Sequence, residues 1–350
     1  MNEIDRQRVT LREVAHAAGV STATVTRVLQ NSPRVVPETR QRVMEAVQRL
    51  GYSPNPMARD LRQGRPAGAV GLVTAGFTNV FQAGVAAGAE QELRRAGLQL
   101  LIGSTEDDPA REPELARAMI DHRVSALMMM PDGDERGFLS AENLFGTPVV
   151  LVGRPANDLA ADVVMTDDDR AVAEAVTGLV DLGHTRIAAL AGRSDSFRTR
   201  QRLAGFHAGL AGHDSSLVVA NLTTSAQARA AIERLMALDS PPTAVLALNL
   251  GISTGVLLDR IANDRRYAFI ALDEHDLSVG LGVSAVVRDP QEVGRQAAKL
   301  AVERIGDPAG APRTVTLPSV VVRRGTGEIP AETVLAEGNQ RRSSSASIGR

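Results

Sequence analysis

Thr22, Ala23, Thr26 and Arg27 stand within "STATVTRVL", and their side chains suit the reading of base-pair edges. A threonine hydroxyl can donate or accept, an alanine methyl can touch the methyl of thymine, and an arginine can make two parallel hydrogen bonds to guanine. Such groups act together only if one short element holds them on one face. The pattern supplies that element: Val25, Val28 and Leu29 recur on the opposite face of a helix that Ser21 can cap. Before it, Leu11, Val14, Ala15 and Ala18 follow the i, i+3, i+4, i+7 spacing of another short helix. Thr10 and Glu13 have capping-box spacing at its start, and Gly19 ends it. Two helices joined by a turn of about four residues make a helix-turn-helix, whose second helix fits the DNA major groove. Paired short helices also occur as plain structural hairpins, so this pattern alone leaves both readings open.

A third apolar set, Val43, Ala46, Val47 and Leu50, predicts a helix opening near Pro37 and ending at Gly51, followed by "YSPNPMARDLRQGRP". With these residues in view, "VTLREVAHAAGVSTATVTRVL", "ETRQRVMEAVQRLGYSPNPMARDLRQGR" and "AVGLV" resemble the lactose-repressor (LacI) family of bacterial transcription regulators over residues 9 to 65. "LGHTRIAALAG", "RQRLAGF" and "IALDE" extend the resemblance to about residue 325. It implies an α/β chain with an N-terminal helix-turn-helix headpiece and a two-lobed periplasmic-binding-protein-like core of parallel sheets. It also implies a double-stranded DNA operator, a small-molecule effector and a homodimer or higher homo-oligomer. DNA contacts are then expected from Thr10, Ser21, Thr22, Ala23, Thr26 and Arg27, and from Asn55, Ala58, Arg59 and Leu61 in a hinge. Leu61 matches a wedge that enters the minor groove. "NPMARDLRQ" is too short to hold a helix alone in water, so DNA is expected to order it. One departure concerns capping: Val36 stands before Pro37 where the family often has Ser.

Charge is segregated along the chain. Residues 1 to 65 hold eleven Arg and six acids, whereas the remainder holds 28 basic and 35 acidic residues. A basic module on an acidic body is the footprint of a phosphate-backbone binder attached to a larger domain that is not one. Lys299 is the one lysine among 39 basic residues, a bias we read as genomic base composition. There are no cysteines, so disulfides, thiol nucleophiles and Cys-based metal sites are excluded. With no apolar run of membrane length and no signal-peptide pattern, no membrane partner and a cytoplasmic location are expected.

From residue 69 onward, strand-length apolar runs such as "AVGLVT", "VSALMMM", "PVVLVG", "RIAALAG", "TAVLALN" and "YAFIALD" alternate with helical patterns. That alternation means parallel sheet covered on both faces. The expected division is a headpiece over 1–52, hinge and linker over 53–67, a core over 68–326 and a disordered polar tail over 327–350. The resemblance places the lobes at about 69–166 plus 288–315, and 167–287 plus 316–326. Ligands of such sheets sit at the carboxyl ends of the strands, here the cleft between lobes.

The core shows no nucleophile elbow, no phosphate-cradling glycine loop and no His cluster with metal spacing, so an enzyme, a metal and a cofactor are not expected. "TDDDR", residues 166 to 170, reads as helix caps and dipole partners rather than a cation site, and His184 reads as structural. The resemblance implies effector contacts from Phe77, Phe81, Arg154, Arg200, Asn249 and Asp273. Gly153, Leu250, Gly76 and Leu222 stand where the family often has acids or an aromatic, which thins the usual sugar-gripping set. Arg154 and Arg200, with Arg193 or Arg198, would suit a carboxylate or phosphate, so a sugar or an anionic sugar derivative is expected. The alternatives are a constitutive DNA binder with a degraded pocket and an α/β sugar enzyme.

Overall fold

A computed structural model describes residues 9–29, 31–52, 68–77, 79–133, 136–213, 216–274 and 276–336. Asn55, Ala58, Arg59 and Leu61 lie outside the described residues. The chain divides into two units, the first ending at Gly68 and the second starting at Ala69.

In the first unit, α1 (Leu11–Ala18), α2 (Thr22–Leu29) and α3 (Pro37–Leu50) enclose Val14, Val25, Val28, Val43 and Ala46. The capping box is formed: Thr10 Oγ1 accepts the Glu13 amide at 3.3 Å, and Glu13 Oε2 accepts the Thr10 amide at 2.6 Å. Gly19 closes α1 in the left-handed region, φ 65°, where glycine carries no Cβ penalty. Ser21 caps α2 by accepting the Thr24 amide at 3.1 Å. Val36 precedes α3 without any side-chain cap hydrogen bond.

The second unit holds two six-stranded sheets. Lobe one contains β1 (Ala69–Thr74), α4 (Val80–Arg95), β2 (Gln99–Ser104), α5 (Glu112–Asp121), β3 (Leu127–Met129), β4 (Val149–Val152) and β5 (Asp162–Thr166). Lobe two follows with α6 (Asp168–Asp181), β6 (Ile187–Leu190), α7 (Phe197–Leu210), β7 (Val218–Val219), α8 (Ser225–Met236), β8 (Ala244–Ala247), α9 (Leu250–Ala262), β9 (Ala268–Leu272), α10 (Asp276–Gly280) and β10 (Ser284–Val287). The chain then crosses back through α11 (Pro290–Gly306) and β11 (Thr314–Leu317) to lobe one, and β12 (Val320–Val322) completes lobe two. Residues 316 and 317 therefore belong to lobe one, because β11 pairs in parallel with β5. Only β12 runs antiparallel, against β10.

Successive strand residues point to opposite faces, so each sheet has two cores. In lobe one, Leu72 and Met128 face α4 and α11, while Val73, Leu127 and Met129 face α5. Helix pairs approach at glycines. A Cβ on Gly88 would collide with the Gln291 carbonyl, one on Gly294 with Val85, one on Gly205 with Asp169, and one on Gly255 with Ser225.

The expected tail boundary at residue 327 is corrected. Ile329 O accepts a hydrogen bond from His184 Nε2 at 2.8 Å, the Ala331 amide donates to Leu182 O at 3.1 Å, and residues 331–336 are helical. A carbonyl can only accept, so Nε2 carries the proton and Nδ1 accepts from the Thr243 hydroxyl at 2.8 Å. Burial keeps the ring's pKa below the ordinary histidine value, which favours this neutral tautomer. His184 is structural, as the sequence suggested.

Candidate functional site

On α2, Ser21, Thr22, Ala23 and Arg27 are exposed, while Val25 and Val28 are buried. Thr26 is half-buried, and its hydroxyl donates to Thr22 O at 3.0 Å. The face free to meet a groove is therefore Thr22, Ala23 and Arg27, carried by a helix that Ser21 starts. Thr10 is exposed, with its hydroxyl committed to Glu13 at 2.8 Å.

The second site lies between the lobes. Arg202, on α7, is buried, and its guanidinium donates to Asp168 Oδ2 at 2.9 Å and to Leu248 O at 3.0 Å. Asp168 opens α6 and also accepts from Ser319 Oγ at 2.8 Å and from Arg288 at 3.4 Å. Burial disfavours the Asp168 carboxylate, but the charges of Arg288 and Arg202 hold its pKa well below the ordinary value. Asp273, at the end of β9, has φ 61° and is paired at both oxygens with Arg288. The Arg288 guanidinium lies 3.7 Å from the centroid of the Phe81 ring. Among Phe81, Val152, Gly153, Thr166, Gln201 and Arg288 there remains a cavity of about 20 Å³, room for roughly one water molecule.

A second tie spans the lobes at Asp132. Its Oδ1 accepts from Ser196 Oγ and from Arg198 Nη2, both at 2.7 Å. Glu112 positions Asp132: Oε1 accepts the amides of Asp132 at 2.7 Å and Gly133 at 3.3 Å. Burial pushes the Glu112 carboxyl up in pKa, against the pull of those amides and of Arg154.

The six expected effector residues fare differently. Phe81 and Asp273, from opposite lobes, meet at Arg288. Arg154 is buried within lobe one and donates to Gly133 O. Asn249 caps α9 by accepting the Gly251 amide at 2.8 Å. Phe77 is exposed. Arg200 is a correction: it is exposed and donates to Asp195 O at 2.5 Å. On α7 the cleft-facing set is Arg198, Gln201 and Arg202, and Arg200 sits two residues, about 200° of turn, from Arg202. Of the "TDDDR" acids, Asp168 and Asp169 stand in the first turn of α6 as helix-dipole partners, Asp167 makes no side-chain cap, and Asp168 is in addition an ion-pair partner in the cleft. Sequence reasoning missed Arg202, Arg288, Asp168 and Asp132. The available signals were the helical spacing from Arg198 to Arg202 and the place of Arg288 just past the carboxyl end of a strand.

Among the described residues no group of three or more His, Cys, Asp or Glu could hold a metal, and no helix is long and apolar enough to cross a membrane.

A helix-turn-helix with an exposed polar face, carried on a chain with a two-lobed α/β binding core, defines a class of ligand-binding DNA regulators. Two family models match accordingly: "Bacterial regulatory proteins, lacI family" over residues 10–55 and "Periplasmic binding proteins and sugar binding domain of LacI family" over 67–316. The chain belongs to the LacI family of transcription regulators. It is 31% identical over 336 residues to the HTH-type transcriptional regulator PtxS of Pseudomonas plecoglossicida, covering 93% of this chain and 97% of that one. It is 30% identical to the sucrose operon repressor of Klebsiella pneumoniae, covering 90% and 98%. A crystal structure of the lac repressor dimer bound to operator and an anti-inducer superposes with TM-score 0.80 at 21% identity, over 92% of this chain and all of that one, a likeness of fold. The transcriptional regulator CelR in complex with cellobiose matches at 26% identity and TM-score 0.65, over 91% and 99%.

Proposed function

We propose that this protein is a repressor that binds a palindromic operator as a homodimer and is controlled by a sugar or sugar derivative in the interlobe cleft. The observation that carries the reading is the pairing, on one chain, of an exposed Thr22–Ala23–Arg27 face with a cleft where Arg202, Arg288, Asp168 and Asp273 converge. Arginine and carboxylate side by side offer bidentate donors and acceptors to adjacent hydroxyls, and an aromatic such as Phe81 offers a face to ring C–H groups. Of the arginines that suggested an anion, Arg198 pairs with Asp132 and Arg193 with Asp195, while Arg154 donates to Gly133 O and Arg200 to Asp195 O; Arg202, which joins them in the cleft, pairs with Asp168. This favours hydroxyl recognition over capture of a free negative charge. The cellobiose named with CelR is of that chemistry, and CelR shares this fold. Effector binding would change the spacing of the lobes and thereby DNA affinity, two sites linked through one conformational equilibrium.

Thermal-shift screening across neutral sugars, sugar acids and sugar phosphates tests the reading, because a bound ligand raises the midpoint by mass action. The expected result is a shift with a neutral sugar that disappears in Arg202→Ala and persists in Arg200→Ala. A shift undiminished in Arg202→Ala, or none across the panel, would overturn it.

A further inference from the structure

Arg288 is placed so that its backbone and its side chain serve different lobes. Val287 ends β10 in the sheet of lobe two, and two residues later Asp289 caps α11 by accepting the Glu292 amide at 2.9 Å. Pro290 and Gln291 lie against Gly84 and Gly88, so the start of α11 is locked to α4, the helix that carries Phe81. The side chain then turns back. One guanidinium edge pairs with both oxygens of Asp273, a third nitrogen reaches Asp168 at 3.4 Å, and the flat face covers the Phe81 ring. Arginine alone among the side chains combines a planar fork for a carboxylate with a face that stacks on an aromatic. Lobe two thus holds the charge and lobe one holds the face.

We propose that Arg288 is an interlobe clasp with which the effector must exchange, so that a ligand hydroxyl reaching Asp273 releases Phe81, and with it the α4–α11 pair, from lobe two. The inference rests on the reading that the cleft takes the effector. Arg288 is then a positioning residue that converts cleft occupancy into lobe spacing. A competing internal partner also lowers the apparent affinity for effector by the fraction of molecules in which the clasp is closed.

The clasp can be tested on the full chain without an effector. Arg288→Ala leaves a guanidinium-shaped gap bounded by two carboxylates and an aromatic face, and millimolar ethylguanidinium chloride is the probe. Arg288→Ala is expected to melt several degrees below wild type and to show a larger radius of gyration by small-angle scattering. Ethylguanidinium should restore most of both changes, whereas sodium chloride at equal ionic strength should restore neither. The double variant Arg288→Ala/Asp273→Asn should not respond. Restoration of neither quantity, or a radius unchanged from wild type, overturns the clasp. If Arg288→Ala does not fold, Phe81→Leu decides, since it keeps both ion pairs and removes the face; an unchanged radius overturns the proposal there too. The effector reading fails separately: ethylguanidinium rescue with no sugar shift in wild type or Arg288→Ala would uphold the clasp and discard that reading.

Discussion

Arg27 and Arg202, one proposed for the operator and one for the effector cleft, ask different things of their surroundings. Arg27 is exposed on α2, its whole fork available to a partner. Arg27→Ala is expected to lose roughly 1 to 3 kcal/mol of binding to the specific operator, with little loss on a scrambled duplex. Equal losses on both duplexes in a binding titration would reduce Arg27 to a phosphate contact. Arg202, in contrast, is buried against Asp168, so removing it takes from a buried carboxylate the nearer of its two arginines. The α2 residues were legible in sequence because their roles follow from local helical periodicity. The cleft was less so. The acid partners of Arg288 lie 15 and 120 residues away, and no local pattern announces such pairings. A motif match does not tell one face of a helix from the other, and on α7 it is Arg202, two residues beyond Arg200, that joins Asp168 in the cleft.

Individual elements carry their own liabilities. α3 starts at Pro37 under a valine that makes no cap hydrogen bond, so one of its first amides goes without a side-chain acceptor. Val36→Ser should stabilise the headpiece by about 1 kcal/mol. Chemical denaturation checks this, and an unchanged or lower midpoint would show that the added hydroxyl finds no amide. The α4–α11 pair has the opposite character, being too close for any side chain at Gly88 or Gly294. Gly294→Ala must push the helices apart and is expected to cost about 1 to 3 kcal/mol, the range for overpacking a close-packed interface. A melt with no loss would mean that the helices shift freely. Strand and helix alternation from residue 69 was readable as parallel sheet, because fully buried strands appear as unbroken apolar runs. The direction of β12 was not, since three valines carry too little pattern to show that it runs antiparallel; its lobe came from the resemblance.

Exposed apolar side chains and a buried histidine bear on self-association and on the pH dependence of stability. Leu258 and Ile261 on α9, and Leu277, Val279 and Leu281 in and after α10, are exposed apolar side chains of lobe two. A monomeric soluble protein rarely displays such a group, and the homodimer proposed above would cover it. Ile261→Asp is expected to shift sedimentation toward monomer and to weaken operator binding together; a dimer that persists would place the interface elsewhere. His184 contributes to the acid sensitivity of the fold. Its folded pKa lies below the ordinary 6.5, so the unfolded chain takes up a proton that the folded ring refuses. Its contribution is complete above that value and is lost as the pH falls, so melts between about pH 7 and about pH 5 should show a decline that is smaller in His184→Asn. An identical decline in both would assign the acid sensitivity to other groups.

The same histidine fastens residues 329 to 331 onto lobe two, and this bears on engineering. A sequence-guided trim at residue 327 would cut away the acceptor of His184 and the side chain of Ala331, itself buried, and so expose apolar surface. A reporter fused to read lobe motion belongs no earlier than Ala336, so that the helical turn over residues 331–336 is kept.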